Sequence, residues 1–168
     1  MITNAEQRFM QQQGFPVEGP AVLIAHFRAL RFQPLVVASL VLLAIILQSR
    51  VLFFLLAAVL AWSVALPQWN PFERLFDWLI GRARGLAPLG PAPGPRRFAQ
   101  GMASAFMLCA GLALSLHRQV PAYVFEGFLV VALVALLAGK FCLGSYIYHV
   151  LHGRVRFANA TCPWSHGG

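Results

Sequence analysis

Four apolar blocks, residues 34–47, 51–66, 98–116 and 124–139, contain one charged side chain between them, Glu126, and this constrains the chain more than any other feature. An interior able to hide all four from water does not exist in 168 residues. The sequence is 59% hydrophobic and 11% charged, against about 45–50% and about 25% in an ordinary soluble domain. A bilayer accepts such an excess, and helices satisfy their own backbone groups within it. The expected fold is therefore all-α and polytopic: four transmembrane helices as two hairpins, with an in-plane amphipathic helix between them.

The first two blocks fall short of the roughly 20 residues a span usually needs. Snorkelling arginines at 31 and 50 can nevertheless bracket about 28 Å of helix. One unbroken helix over 34–66 would be about 50 Å long, too long for a hydrocarbon core of about 30 Å, so a tight turn at Gln48-Ser49-Arg50 is preferred. The second hairpin covers 98–151. A faint repeat relates the two, because Arg31-Phe32 opens one and Arg97-Phe98 opens the other with similar continuations.

Residues 1–30 read as a polar N-terminal segment, lacking the apolar core of a signal peptide, followed by an interfacial helix over 21–32. The first hairpin occupies 31–67. In the stretch 68–97, Asn70-Pro71 has the form of a cap and first helical residue, and Phe72, Leu75, Phe76, Leu79 and Ile80 follow at helical spacing. Residues 85–97, rich in proline and glycine, are expected to be an extended connector rather than helix. Residues 152–168 form a C-terminal tail.

Charge sets the orientation. Ten of the 13 basic residues lie before the first block, between the second and third, or beyond the fourth, facing only Arg50 and Arg118 at the hairpin tips, with Lys140 at the end of the fourth. Both termini and the long loop are then cytoplasmic, in a bacterial inner membrane. Arg74, Arg82, Arg84, Arg96 and Arg97 surround the amphipathic helix and connector, where they are candidates for contact with lipid headgroups or a partner. Basic residues spread between apolar blocks do not make a nucleic-acid surface.

Along the third block Gly101, Ala105, Cys109 and Ala113 recur every four residues, a row of small side chains that allows close helix approach. Three cysteines cannot all pair, and they form no metal cluster. Lys140 is near enough in sequence to favour a thiolate at Cys142, and Cys162 in the tail could meet it through the fold. His26, His149 and His152 lie on one side of the membrane and are candidate ligands for haem or metal, although they fall at or beyond the span boundaries. Glu126 is expected at the headgroups beside Arg118. No cofactor is implied.

Three short motifs carry a resemblance: Asn70-Pro71-Phe72-Glu73-Arg74-Leu75, Arg97-Phe98-Ala99-Gln100-Gly101 and Phe141-Cys142-Leu143-Gly144. With these, the chain from about residue 31 to 148 resembles a bacterial family of small integral membrane proteins catalogued as domain of unknown function 4395. The resemblance implies the fold and no settled activity. The family pattern ends in a Cys-x-x-Cys pair, where this chain has Ser145 in the second position, so a dithiol mechanism does not carry over. The spans hold no acid-base pair, phosphate loop or metal cluster. The expected function is a non-catalytic accessory subunit that packs against a larger respiratory, photosynthetic or similar membrane complex, with lipids and other transmembrane subunits as partners. The alternative is a thiol or sulfur-handling redox protein acting through Cys142.

Overall fold

The computed structural model describes residues 3–15, 20–81 and 91–162, with the side chains of 20–26, 28–29 and 80–81 outside that description. Every regular element among the described residues is helical: α1 (Asn4–Gln12), α2 (Pro20–Ile46), α3 (Arg50–Ala65), α4 (Pro71–Phe76), α5 (Gly94–Ser115), α6 (Gln119–Leu137), α7 (Leu143–Leu151) and α8 (Val155–Ala160). A short 3-10 turn, Pro67–Trp69, precedes α4, and a π-helical turn, Asp77–Gly81, prolongs it. Two helices are long and apolar enough to cross a membrane, α5 with mean hydropathy 1.5 and α6 with 2.2. The apolar stretch of α2, Leu30–Ile46, and α3 are shorter.

Helices α2, α3, α5 and α6 form a closed ring, in which α2 packs on α3 and α6, and α5 packs on α3 and α6. Val37, Val41 and Ala44 of α2 meet Phe53, Leu56 and Leu60 of α3, Met107, Ala110 and Leu114 of α5, and Leu129 of α6. Outside the ring the helices expose large apolar side chains, among them Leu42, Ile46, Leu55, Leu112, Phe128 and Val131. Only Ala122, Glu126 and Leu129 of α6 are buried, so most of this apolar helix faces outward. Such a surface suits lipid and is unsuited to water.

Both tips close the same way. Gln48 and His117 adopt φ of 45° and 53°, and the next amide reaches back five residues, Ser49 N to Ala44 O at 3.0 Å and Arg118 N to Ala113 O at 2.9 Å. The openings match as well. Arg31 Nη2 donates to Leu137 O at 3.3 Å, at the end of α6, while Arg97 donates through Nε and Nη2 to Val64 O at 3.1 and 2.7 Å, near the end of α3. Each opening arginine thus satisfies a last-turn carbonyl of the other hairpin's closing helix, where cations are favoured.

Three local expectations change. Residues 21–32 and the first apolar block form one helix, because Pro34 deletes a single backbone bond while Leu30, Gln33, Val37 and Val41 keep a continuous buried face. Residues Gly94-Pro95-Arg96-Arg97 belong to α5 rather than to an extended connector, since proline is tolerated in a first turn whose N–H groups have no helical partner. The polar N-terminus contains α1, capped reciprocally by Thr3 and Glu6 and closed by Gly14 at φ 89°. Its Phe9 and Met10, with Phe15, pack on Phe27, Leu30 and Cys142.

Helix α7 reaches α5 at a glycine. A Cβ on Gly144 would lie 2.6 Å from both Cα and Cβ of Ala99, whereas a Cβ on Gly127 would meet nothing within 4 Å. Gly144→Ala should therefore separate α7 from α5 at a cost of about 1–3 kcal/mol, visible as a lowered melting temperature in detergent. Gly127→Ala should be neutral or stabilising by up to about 1 kcal/mol. Equal melting temperatures for the two variants would contradict the close contact.

Candidate functional site: a buried arginine junction

The three motifs meet in space at the end of the ring that carries α4, α7 and the start of α5. Arg96, in the first turn of α5, is 5% exposed. Its Nη2 donates to Gln33 Oε1 of α2 at 2.9 Å, and Gln100 Nε2 donates to the same oxygen at 2.9 Å. Nη1 lies 3.5 Å from Glu73 Oε1. The guanidinium carbon sits 5.8 Å from the Phe15 ring centroid. A buried charge persists only when paired and hydrogen-bonded, and here the partners come from α2 and α4.

Glu73 is held by the helix start that the sequence announces. Asn70 Oδ1 accepts from Phe72 N at 3.1 Å and Asn70 Nδ2 donates to Glu73 Oε1 at 3.2 Å. Ser63 of α3 donates to Asn70 Oδ1 at 3.4 Å. Burial pushes the Glu73 carboxyl up, opposed by the Arg96 charge and the Asn70 hydrogen bond.

Cys142 lies buried at the start of α7. Its backbone N–H donates to Gln12 Oε1 of α1 at 2.9 Å, and its Sγ accepts from Ser145 Oγ at 3.3 Å. Ser145 Oγ also lies 3.3 Å from Pro95 O. Burial pushes the Cys142 thiol up, with the Ser145 hydrogen bonds and the Arg96 charge acting against it. Lys140 does not act on this thiol by pairing: its Nζ bonds Glu6 Oε1 at 2.9 Å. None of the three cysteines is in a disulfide; Cys162 is buried and Cys109 half-buried.

The candidate ligands of haem or metal are not brought together. His149 is buried, with Nε2 3.0 Å from Gln12 O, whereas His152 is exposed and stacks on Tyr148 at 4.0 Å. The side chain of His26 lies outside the described residues, among which no group of three metal-ligating side chains occurs. The described side-chain contacts of Glu126 are with Gln48 rather than Arg118. Glu126 is buried, and Gln48 Nε2 lies 3.3 Å from each of its carboxylate oxygens, because the positive-φ tip turns Gln48 inward.

The arginines divide. Arg96 is buried within the junction, and Arg97, half-buried, donates to Val64 O of α3; Arg74 is exposed, 4.1 Å from the Trp69 ring centroid; Arg82 and Arg84 lie outside the described residues. The row of small residues divides too. Ala113 is buried and Gly101 and Cys109 half-buried, but Ala105 is exposed. A repeat of four in a helix of about 3.6 residues per turn winds round the axis by about 40° per step, so one row cannot keep to one face. Gly101 and Ala105 instead line an open apolar groove of about 510 Å³ with Val64, Phe98 and Met102. Sequence reasoning missed α1, although the Thr3-x-x-Glu6 cap was a signal for it, and missed Gln33 and Gln100, which carry none.

An arginine-centred polar junction within a ring of outwardly apolar helices defines a small all-helical protein with at least two helices able to cross a membrane. The chain belongs to the family described as Domain of unknown function (DUF4395), which it matches over residues 27–152, a span that holds the whole junction except α1 and its flanking residues. It matches no curated protein and no solved structure.

Removing one partner of a buried pair costs about 3–5 kcal/mol, because the other charge is left uncompensated. Arg96→Met should destabilise the protein by about that amount, and adding Glu73→Gln should recover most of it; chemical denaturation in detergent reads both, and an additive double variant would refute the pairing. The Lys140 hydrogen bond, then the Thr3 backbone bond, hold the Glu6 carboxyl below its ordinary value of 4.5. The stability from this pair is complete above that value and is lost as the pH falls through the lowered one. Melting of the wild type should accordingly fall with acid more steeply than melting of Glu6→Gln, and parallel pH profiles would count against the α1 anchor.

Proposed function

We propose that the chain is a four-span, non-catalytic accessory subunit of a larger complex in a bacterial inner membrane. In this reading α2, through Leu30–Ile46, α3, α5 and α6 cross as two hairpins. The ten-to-two division of basic residues puts the termini and the α4 side in the cytoplasm. Tight tips support the crossing of the shorter helices, since Arg50 and Arg118 sit immediately beside them and can snorkel. Helix α4, with exposed Leu75, Trp78 and Leu79, suits an in-plane position at the interface.

The observation that carries the reading is the groove along Gly101 and Ala105. Small residues on a membrane helix gain their energy from close helix contact, and among the described residues nothing fills this groove. A transmembrane helix of another subunit fits it, with lipid covering the remaining apolar surface. The alternative, thiol chemistry through Cys142, requires α1 to leave, because Gln12 and the Phe9–Met10 pair close over that residue.

Ala105→Leu fills the groove at an exposed position, so the isolated chain should insert and melt as the wild type does. In mild detergent, native gels should show wild-type chain in a species larger than its own mass and the variant released from it. An unchanged assembly in Ala105→Leu, or purification of the wild type alone as an active catalyst, would overturn the proposal.

A further inference from the structure

Helix α1 lies against the ring without belonging to it. The stretch matched by the family, residues 27–152, holds every residue that α1 rests on and begins after α1 itself. A helix of nine residues is marginal alone, so α1 keeps its form through what it touches. Phe9 and Met10, with the following Phe15, pack on Phe27, Leu30 and Cys142. Polar contacts fasten α1 at two places. Near its start Glu6 Oε1 accepts from Lys140 Nζ at 2.9 Å. At its end Gln12 Oε1 accepts from Cys142 N at 2.9 Å, and Gln12 O lies 3.0 Å from His149 Nε2. This second fastening is incomplete, because Gln12 Nε2 and His149 Nδ1 are buried and have no hydrogen-bond partner among the described residues. Such atoms cost free energy that water restores when a contact opens, so the closed position is weakened from beneath.

What α1 covers is a thiol already surrounded by groups that favour its charged form. Burial pushes Cys142 up, against the Ser145 hydroxyl at 3.3 Å, the backbone N–H groups of Ser145 and Gly144 at the start of α7, and the Arg96 charge. Phe9, Met10 and Phe15 supply much of that burial. Lifting α1 removes it and leaves the donors in place, since all of them belong to α5 and α7. It also releases Lys140, two residues from Cys142, from its pairing with Glu6. We propose that α1 is a lid: it lifts from the folded ring and uncovers Cys142, so that a thiol inert in the closed protein becomes reactive in the open one. The lid goes beyond the accessory role and does not depend on it.

Alkylation by N-ethylmaleimide separates lid opening from unfolding. The full chain, purified in detergent, is exposed to the reagent, and the adduct at Cys142 is followed by peptide mass spectrometry. Phe9→Ala should raise the Cys142 rate at least about tenfold, as expected for loss of a buried aromatic ring from the closed form. Glu6→Gln should raise it about two- to fivefold. Met107→Ala, at a buried position of α5 in the ring, should lower the melting temperature yet leave the Cys142 rate within about twofold of wild type, because it weakens the lid-closed and lid-open forms alike. Urea below the unfolding transition should leave the wild-type rate nearly flat, since lid opening exposes far less surface than unfolding does. If Met107→Ala or dilute urea speeds alkylation in step with the loss of stability, the thiol is reached only by global unfolding and the proposal falls. It falls equally if Phe9→Ala leaves the rate unchanged.

Discussion

A guanidinium removed from water has to be met by acceptors from several directions, and Arg96 imposes that demand where four helices converge. Gln33 on α2 and Glu73 on α4 answer it, with Gln100 donating to the same Gln33 oxygen, so one residue joins the first hairpin, the second hairpin and α4. Asn70 then serves two elements at once, capping α4 and orienting the carboxylate that faces Arg96. In membranes the hydrophobic effect does not drive helix against helix, so close contact and interior hydrogen bonds carry more of the specificity. The ring of helices supplies the container; the arginine specifies how its end closes.

Around this junction the helices approach closely at points where side chains are small or absent. Gly144 allows α7 to lie on Ala99, and Gly111 admits the Phe54 ring, with 3.0 Å from a Cβ position to Cε1. Helix α1 then covers the end, and Gln12 bonds both Cys142 N and His149 Nε2. Cys142 consequently has a structural neighbourhood: a buried thiol beside Ser145, its proton held by desolvation. An interior of this kind fits a binding or bracing role more readily than exchange chemistry, which needs an accessible thiolate.

The two hairpins also constrain each other reciprocally. Arg31 and Arg97 stand at the openings of the first and third apolar blocks and each binds a carbonyl at the far helix of the opposite hairpin, and both tips turn at a residue of positive φ without glycine. This exchange gives the faint sequence repeat a physical content. The halves are not equivalent in their interiors. Gln48 turns to Glu126 at one tip, a buried carboxylate for which the opposite tip has no counterpart among the described contacts.

The helices of the four apolar blocks, their order, the Asn70-Pro71 start and the tight tips were legible in the residues alone, because each depends on neighbours three to five positions away: apolar periodicity, a capping oxygen, a break in hydropathy. The apolar blocks likewise determined that most of the surface must face something other than water. What the sequence could not decide is which polar residues turn inward. Arg96 and Arg97 are adjacent and chemically identical, yet one is enclosed by Gln33, 63 positions away, and the other reaches the end of α3. Lys140 was the apparent neighbour of Cys142, but folding gives Lys140 to Glu6, and gives Cys142 to Gln12, 130 positions distant. Helix periodicity places a residue on a face, whereas the partner waiting opposite that face is set by the ring of four helices. That is why the fold could be read locally and the junction came only from tertiary structure.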